Sequence, residues 1–203
     1  MDHSRVKDDP LIAGLLFQGG LVILALILAW LLSINLAEHL DFSTQALLLA
    51  IPATLVIFLA FGLLIPFRFQ WARELEEQVL KLLHGLFRGH SHGWALPLAL
   101  LAGVGEELLF RGVAQTWLQE HTAPWLAILI PAVVFGLLHF LSTAYFILAT
   151  LMGIYMGLLY YWSGNLLLPI LVHFLYDWVA ISYYLRKPPP TDESPDEQEA
   201  GGE

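Results

Sequence analysis

Apolar residues along this chain fall into long unbroken runs, not into the alternating or one-in-three patterns of a soluble domain. The first run covers 11–36, through LVILALILAWLLSI, and the second covers 45–66. Four more follow at 94–118, 124–141, 143–162 and 165–185. A hydrocarbon core of about 30 Å needs about 20 mostly apolar residues in helical form, so each run predicts a transmembrane helix. The last separators are short (QEHTAP, LST and SGN) and predict antiparallel neighbours. Pro97, Pro124 and Pro169 lie near run starts, where a missing N–H costs nothing. Pro52 falls inside its run and predicts a kink. Gly153 and Gly157 form a GxxxG pair, read as close helix packing without a catalytic role.

Residues 67–93 break this pattern. Trp71, Leu75, Val79, Leu82 and Leu86 recur at steps of three and four, with Arg73, Glu74, Glu76, Glu77 and Lys81 between them. That spacing predicts an amphipathic helix lying in the membrane interface, its simplest use being an anchor, followed by a loop at Gly89–His92. Arg5 and Lys7 precede the first run among Asp2, Asp8 and Asp9, and no small-residue cleavage site follows. The run therefore reads as an uncleaved span. The expected fold is all-α: a polytopic transmembrane helix bundle of six spans plus one interfacial amphipathic helix.

Composition strengthens this reading. Of 203 residues, 58% are hydrophobic and 13% charged, with a mean hydropathy of +0.68. Soluble domains carry about 25% charged residues. The absence of cysteine excludes disulfides, thiolate metal sites, a cysteine nucleophile and prenylation of this chain. The net charge of -9 owes much to Asp192, Glu193, Asp196, Glu197, Glu199 and Glu203. These lie in a tail, 186–203, with no basic residue after Lys187, which reads as disordered and acidic. Nothing resembles a nucleic-acid-binding surface. The chain divides into N-terminal spans with the amphipathic helix (1–93), a helical core (94–185) and the tail.

Charge also orients the bundle. Arg5, Lys7, Arg68, Arg73, Lys81, Arg88, Arg186 and Lys187 all fall on one side of six spans. The positive-inside rule then expects both termini and the amphipathic helix in the cytoplasm. The ninth basic residue, Arg111, is inside a span.

Arg111 has company. Glu106, Glu107, His139, His173 and Asp177 also lie in, or at the end of, apolar runs. Each charge at the bilayer centre costs at least about 2.5–3.5 kcal/mol on insertion scales, so such residues mark function by default. Glu107 and Arg111 are four apart and share a face, while Glu106 points about 100° away. His173 and Asp177 are again four apart. Gly103, Gly105 and Gly112 thin the acidic helix, so neighbours can approach it. Two chemistries stand open. A glutamate base beside a histidine could take a proton from water, a second histidine stabilising the oxyanion. Alternatively, Glu106, His139 and His173 could ligate zinc and leave a position for water. At 1.5 Å per residue, Glu106 lies about 14–18 Å from the cytoplasmic end of its span, with His139 expected several ångström shallower. A separation beyond about 10 Å would break joint activation of a water.

Three short motifs carry a resemblance: EELLFR at 106–111, FGLLH at 135–139 and HFLYD at 173–177. In this order they resemble the signatures EExxxR, FxxxH and HxxxN/D of the CPBP family. These are membrane proteases related to the type II CAAX prenyl endopeptidase, including the Abi and lysostaphin-resistance-A-like proteins. The resemblance implies that Glu106 and His139 activate the attacking water and that Glu107 and Arg111 support them electrostatically. It also implies that His173 and Asp177 stabilise the oxyanion. An ionised aspartate cannot donate a hydrogen bond, so Asp177 must be protonated, orient His173 or help bind a metal. The family has been described both as metallo- and as glutamic proteases, so zinc stays open here.

The leading expectation is an intramembrane endopeptidase acting on membrane-associated, prenylated or other peptide substrates in a bacterial plasma membrane. Two alternatives stand beside it. An ion- or proton-coupled transporter predicts repeated halves, and no internal repeat is visible in the sequence. A non-catalytic scaffold or bacteriocin immunity protein would tolerate loss of the motifs.

Overall fold

The computed structural model describes residues 9–64 and 69–189. Arg5, Lys7, Arg68 and most of the acidic tail, 190–203, lie outside the described residues.

Helix α1 (Pro10–Leu31) starts where Asp9 accepts the Leu11 and Ile12 amides at 3.0 and 3.3 Å, with Pro10 at the first position. It stops short of the expected 36. Ser33 adopts a left-handed φ of 57°, and Asn35 then caps a 3₁₀ turn, Leu36–His39. Helix α2 (Thr44–Leu64) continues through Pro52, and α3 (Gln70–Leu86) is the amphipathic helix. A 3₁₀ turn, His92–Trp94, begins inside the expected loop and leads into α4 (Ala95–Glu107). The chain then runs on through a π-helical segment, Leu108–Gln115, into α5 (Thr116–His121). Helices α6 (Pro124–Leu138), α7 (Thr143–Ser163) and α8 (Leu167–Tyr184) complete the bundle. There is no strand among the described residues.

Each of the six apolar runs holds a helix among the described residues, and the polytopic bundle is the fold. Pro10–Leu31, His92–His121, Thr143–Ser163 and Leu167–Tyr184 are long and apolar enough to cross a bilayer, while Thr44–Ala60 and Pro124–Leu138 are shorter. The outer surface carries exposed Phe17, Ile23, Leu48, Leu59 and Trp162. Water would penalise such a surface, whereas lipid would not. The chain is a membrane protein.

Helix α4 lies between α1 and α8, α2 packs on α8, and α6 packs on α7. Small residues set these approaches. A Cβ at Gly105 would sit 2.9 Å from the Gln18 carbonyl of α1, and one at Gly103 would sit 3.0 Å from the Phe174 amide of α8. Helix α4 is therefore held backbone to backbone on both sides, on either flank of Glu106.

Polar staples tie the two ends. At one, Asn165 accepts the Asp41 amide at 3.1 Å and the Leu167 amide at 2.9 Å, and donates to the Asp41 carbonyl at 2.7 Å. At the other, His90 meets Asp9 at 2.8 Å, Lys187 pairs with Glu76, and His84 donates to the Lys187 carbonyl at 3.1 Å. Hydrogen bonds from His90 and the Ile12 and Leu11 amides outweigh the opposing effect of desolvation and hold the Asp9 carboxyl below its ordinary range. Helix α3 closes over this end, packing Leu83 with Leu11, Phe87, Leu98 and Leu185.

Candidate active site

The six ionisable residues singled out in the sequence come from α4, its π-helical continuation, the end of α6 and α8, and the structure brings them together. Glu107 is fully buried, and its Oε1 accepts from Arg111 Nη1 at 3.0 Å and from His173 Nδ1 at 2.7 Å. Arg111 Nη2 donates to the Gly153 carbonyl of α7 at 2.6 Å. Phe110 and Phe135 flank the guanidinium, 5.9 and 5.5 Å from its carbon. Both arms of the guanidinium thus find acceptors, while Glu107 Oε2 is buried without a hydrogen-bond partner.

Two refinements of the sequence reading follow. The helix after Glu107 is π-helical, not α-helical, and its wider turn leaves the Arg111 carbonyl to be met by Thr116 Oγ1 at 3.0 Å. The GxxxG pair does pack closely, with a Cβ at Gly153 falling 2.9 Å from Ala132 Cα. Its carbonyls also serve the polar core, since Gly153 receives Arg111 and Gly157 receives Gln115.

Glu106 is held differently. Its Oε1 accepts from Gln18 Nε2 at 2.8 Å, whereas its Oε2 is buried without a hydrogen-bond partner. His139 Nε2 faces that oxygen at 3.7 Å and His173 Nε2 at 3.9 Å. Both separations are too long for a direct hydrogen bond. The histidine tautomers follow from their other nitrogens. His139 Nδ1 lies 2.9 Å from the Phe135 carbonyl, an acceptor only, so it carries the proton and Nε2 offers a lone pair. His173 Nδ1 lies 2.7 Å from Glu107 Oε1, the oxygen that also accepts from Arg111, and donates to it. Its Nε2 also lies 3.4 Å from Asp177 Oδ2, so of the roles open to Asp177 the geometry favours orienting His173.

Glu106 and His139 approach to 3.7 Å, well inside the roughly 10 Å that joint activation of a water allows. Helix α6 has 15 residues, about 22 Å of helix. His139 is its C-cap, stacked on Phe135 with ring centroids 4.3 Å apart.

His139, Tyr145, His173 and Asp177 open onto a cavity of ≈ 910 Å³ whose far wall includes Trp71, Leu75 and Val79 of α3. The amphipathic helix therefore does more than anchor: its apolar side lines the space beside the site. Sequence reasoning built on ionisable residues passes over Gln18 and Tyr145. A lone amide inside the first apolar run was the available signal for Gln18, while Tyr145 carried none. Among the described residues no group of three or more His, Asp or Glu side chains is arranged to hold a metal ion.

Comparison with known proteins bears on the same segment. The family described as Type II CAAX prenyl endopeptidase Rce1-like matches residues 88–179. "Uncharacterized protein YpbD" of Bacillus subtilis (strain 168) is 42% identical over 97 residues, 46% of this chain and 47% of that protein. The chain thus spans about half the length of the curated relative it matches. No solved structure matches.

Proposed function

We propose that the chain, which matches the Rce1-like family over residues 88–179, is an intramembrane endopeptidase that hydrolyses peptide bonds with a glutamate-activated water. The carrying observation is the pairing of an unpartnered, buried Glu106 Oε2 with the His139 Nε2 lone pair 3.7 Å away.

A water between these atoms can donate one hydrogen to each, which leaves its oxygen lone pair free for a carbonyl entering from the cavity. Attack transfers the water's proton to Glu106 as the tetrahedral oxyanion forms. His173, its Nδ1–H bonded to Glu107 and its Nε2 beside Asp177, presents Nε2–H to that oxyanion when the ring is protonated. Collapse of the intermediate breaks the C–N bond, and Glu106 returns the proton to the leaving amine. Glu107 and Arg111 do no proton transfer in this scheme, and fix His173.

Substrates would be membrane-associated polypeptides, prenylated or not, reaching the site through the cavity beneath α3. We further propose a bacterial plasma-membrane location, with the α3 end and both termini cytoplasmic, and residues 94–185 as the catalytic core. The test is purified full-length protein in liposomes with a membrane-anchored reporter peptide, assayed with and without chelator. The proposal expects cleavage in both arms and none for Glu106→Gln. Activity lost on chelation and restored by zinc would replace the water-only scheme with a metal one. Glu106→Gln cleaving as fast as wild type would remove Glu106 as the base, and no cleavage by wild type in either arm would remove the protease reading and favour a scaffold.

A further inference from the structure

Residues 88–179 do not supply every contact to the candidate base. Gln18 lies in α1, outside that segment, yet its Nε2 donates to Glu106 Oε1 at 2.8 Å. The opposite orientation of the amide would set oxygen against oxygen, so the chemistry fixes which end donates. The amide's own Oε1 is buried without a partner. An amide in an apolar run is costly unless it is hydrogen-bonded, and the bond to Glu106 is the side-chain bond this one makes among the described residues. Its placement is not loose. The Gln18 carbonyl rests where a Cβ of Gly105 would come within 2.9 Å, so α1 rides directly on the residue preceding Glu106.

We propose that Gln18 is the positioning residue of Glu106. By occupying Oε1 it stops the carboxylate from rotating, and so keeps Oε2 turned toward His139 and His173, at 3.7 and 3.9 Å. Glu106 and Glu107 are adjacent in sequence, but only Glu106 is oriented by a neutral amide. A neutral donor fixes geometry without adding the charge that Arg111 brings to Glu107. The first helix thereby completes a site whose signatures all lie in the second half of the chain. This inference rests on the proteolytic reading above.

The experiment uses the full chain in detergent or liposomes with three variants. Gln18→Leu removes the donor, Gln18→His restores an N–H of similar reach, and Gly105→Ala pushes α1 away without touching either side chain. Two independent readouts are taken. One is the infrared carboxylate band of Glu106, from protein labelled with carbon-13 glutamate and assigned by its loss in Glu106→Gln. The other is kcat and KM on the reporter peptide. Hydrogen bonds to charged groups imply that Gln18→Leu and Gly105→Ala lower kcat about tenfold to a hundredfold with KM changed less than about twofold. Both should shift the Glu106 band, and Gln18→His should return band and kcat toward wild type. An unshifted band in Gln18→Leu overturns the proposal whatever the activity, and so does a shifted band with wild-type kcat. A shifted band in a protein that cleaves nothing supports the contact and counts against the proteolytic reading instead.

Discussion

The knot around Asn165 and the cluster around Glu106 are both polar islands in an apolar bundle, and they are built on opposite principles. Asn165 is neutral, and both ends of its amide are bonded to backbone of the Asp41 and Leu167 segments. Nothing there is left to react. Around Glu106 the groups are ionisable, and one carboxylate oxygen faces two imidazole nitrogens at distances that call for a further molecule. Burial of polar groups does not by itself separate architecture from chemistry. What separates them is whether hydrogen-bonding capacity is left over, and whether a cavity reaches it.

This contrast can be broken by substitution. The largest effect is expected at Glu106: Glu106→Gln should lower cleavage about 10²- to 10⁴-fold, the usual worth of a positioned base. Its thermal unfolding in detergent should stay near wild type, since Gln18 can still bond the new side chain. Next comes Arg111→Leu, which strands Glu107 without its cation. Breaking a buried pair costs about 3–5 kcal/mol, so unfolding by denaturing detergent should shift strongly and activity should fall with it. Asn165→Leu should do the reverse of Glu106→Gln. Unpaired Asp41 and Leu167 groups cost about 1–3 kcal/mol of stability, while kcat on the reporter stays unchanged. Loss of activity at constant stability in Asn165→Leu would erase the distinction between the two islands.

The smallest effect belongs to the staple at Asp9. Its folded-state pKa lies below the ordinary 3.8. The sign is therefore fixed: the pair with His90 contributes above that value and is lost as pH falls through the lower folded value. Wild type and Asp9→Asn should differ in thermal stability at neutral pH and converge in strong acid. A difference that persists there would assign the effect to packing.

The spans were legible in sequence because lipid imposes a length and a composition, and a run such as 143–162 can satisfy both in one way. The six ionisable residues were legible for a related reason, since a charge in an apolar run has few bland explanations. Their partners were less visible. Helix α1 ends early because Ser33 turns left-handed, a local event that an apolar run does not announce. Along the π-helical turn after Glu107, Thr116 meets both the Arg111 carbonyl and Tyr160 of another helix, a contact that spacing along one helix does not encode. Gln18 escaped because a neutral amide in a long apolar run looks unremarkable until the helix it touches is known. The second role of α3 came from tertiary closure over the cavity, whereas its amphipathic pattern was plain.

The account stands on Glu106 and His139 acting together on one water. Its most direct test is a double-substitution comparison on the reporter peptide, with Glu106→Gln, His139→Ala and the two combined in full-length protein in liposomes. Residues that activate a single water form one unit, so the combined variant should be no slower than the slower single one, within about twofold. Losses that multiply would contradict the account, because they would mean that the two residues serve separate steps.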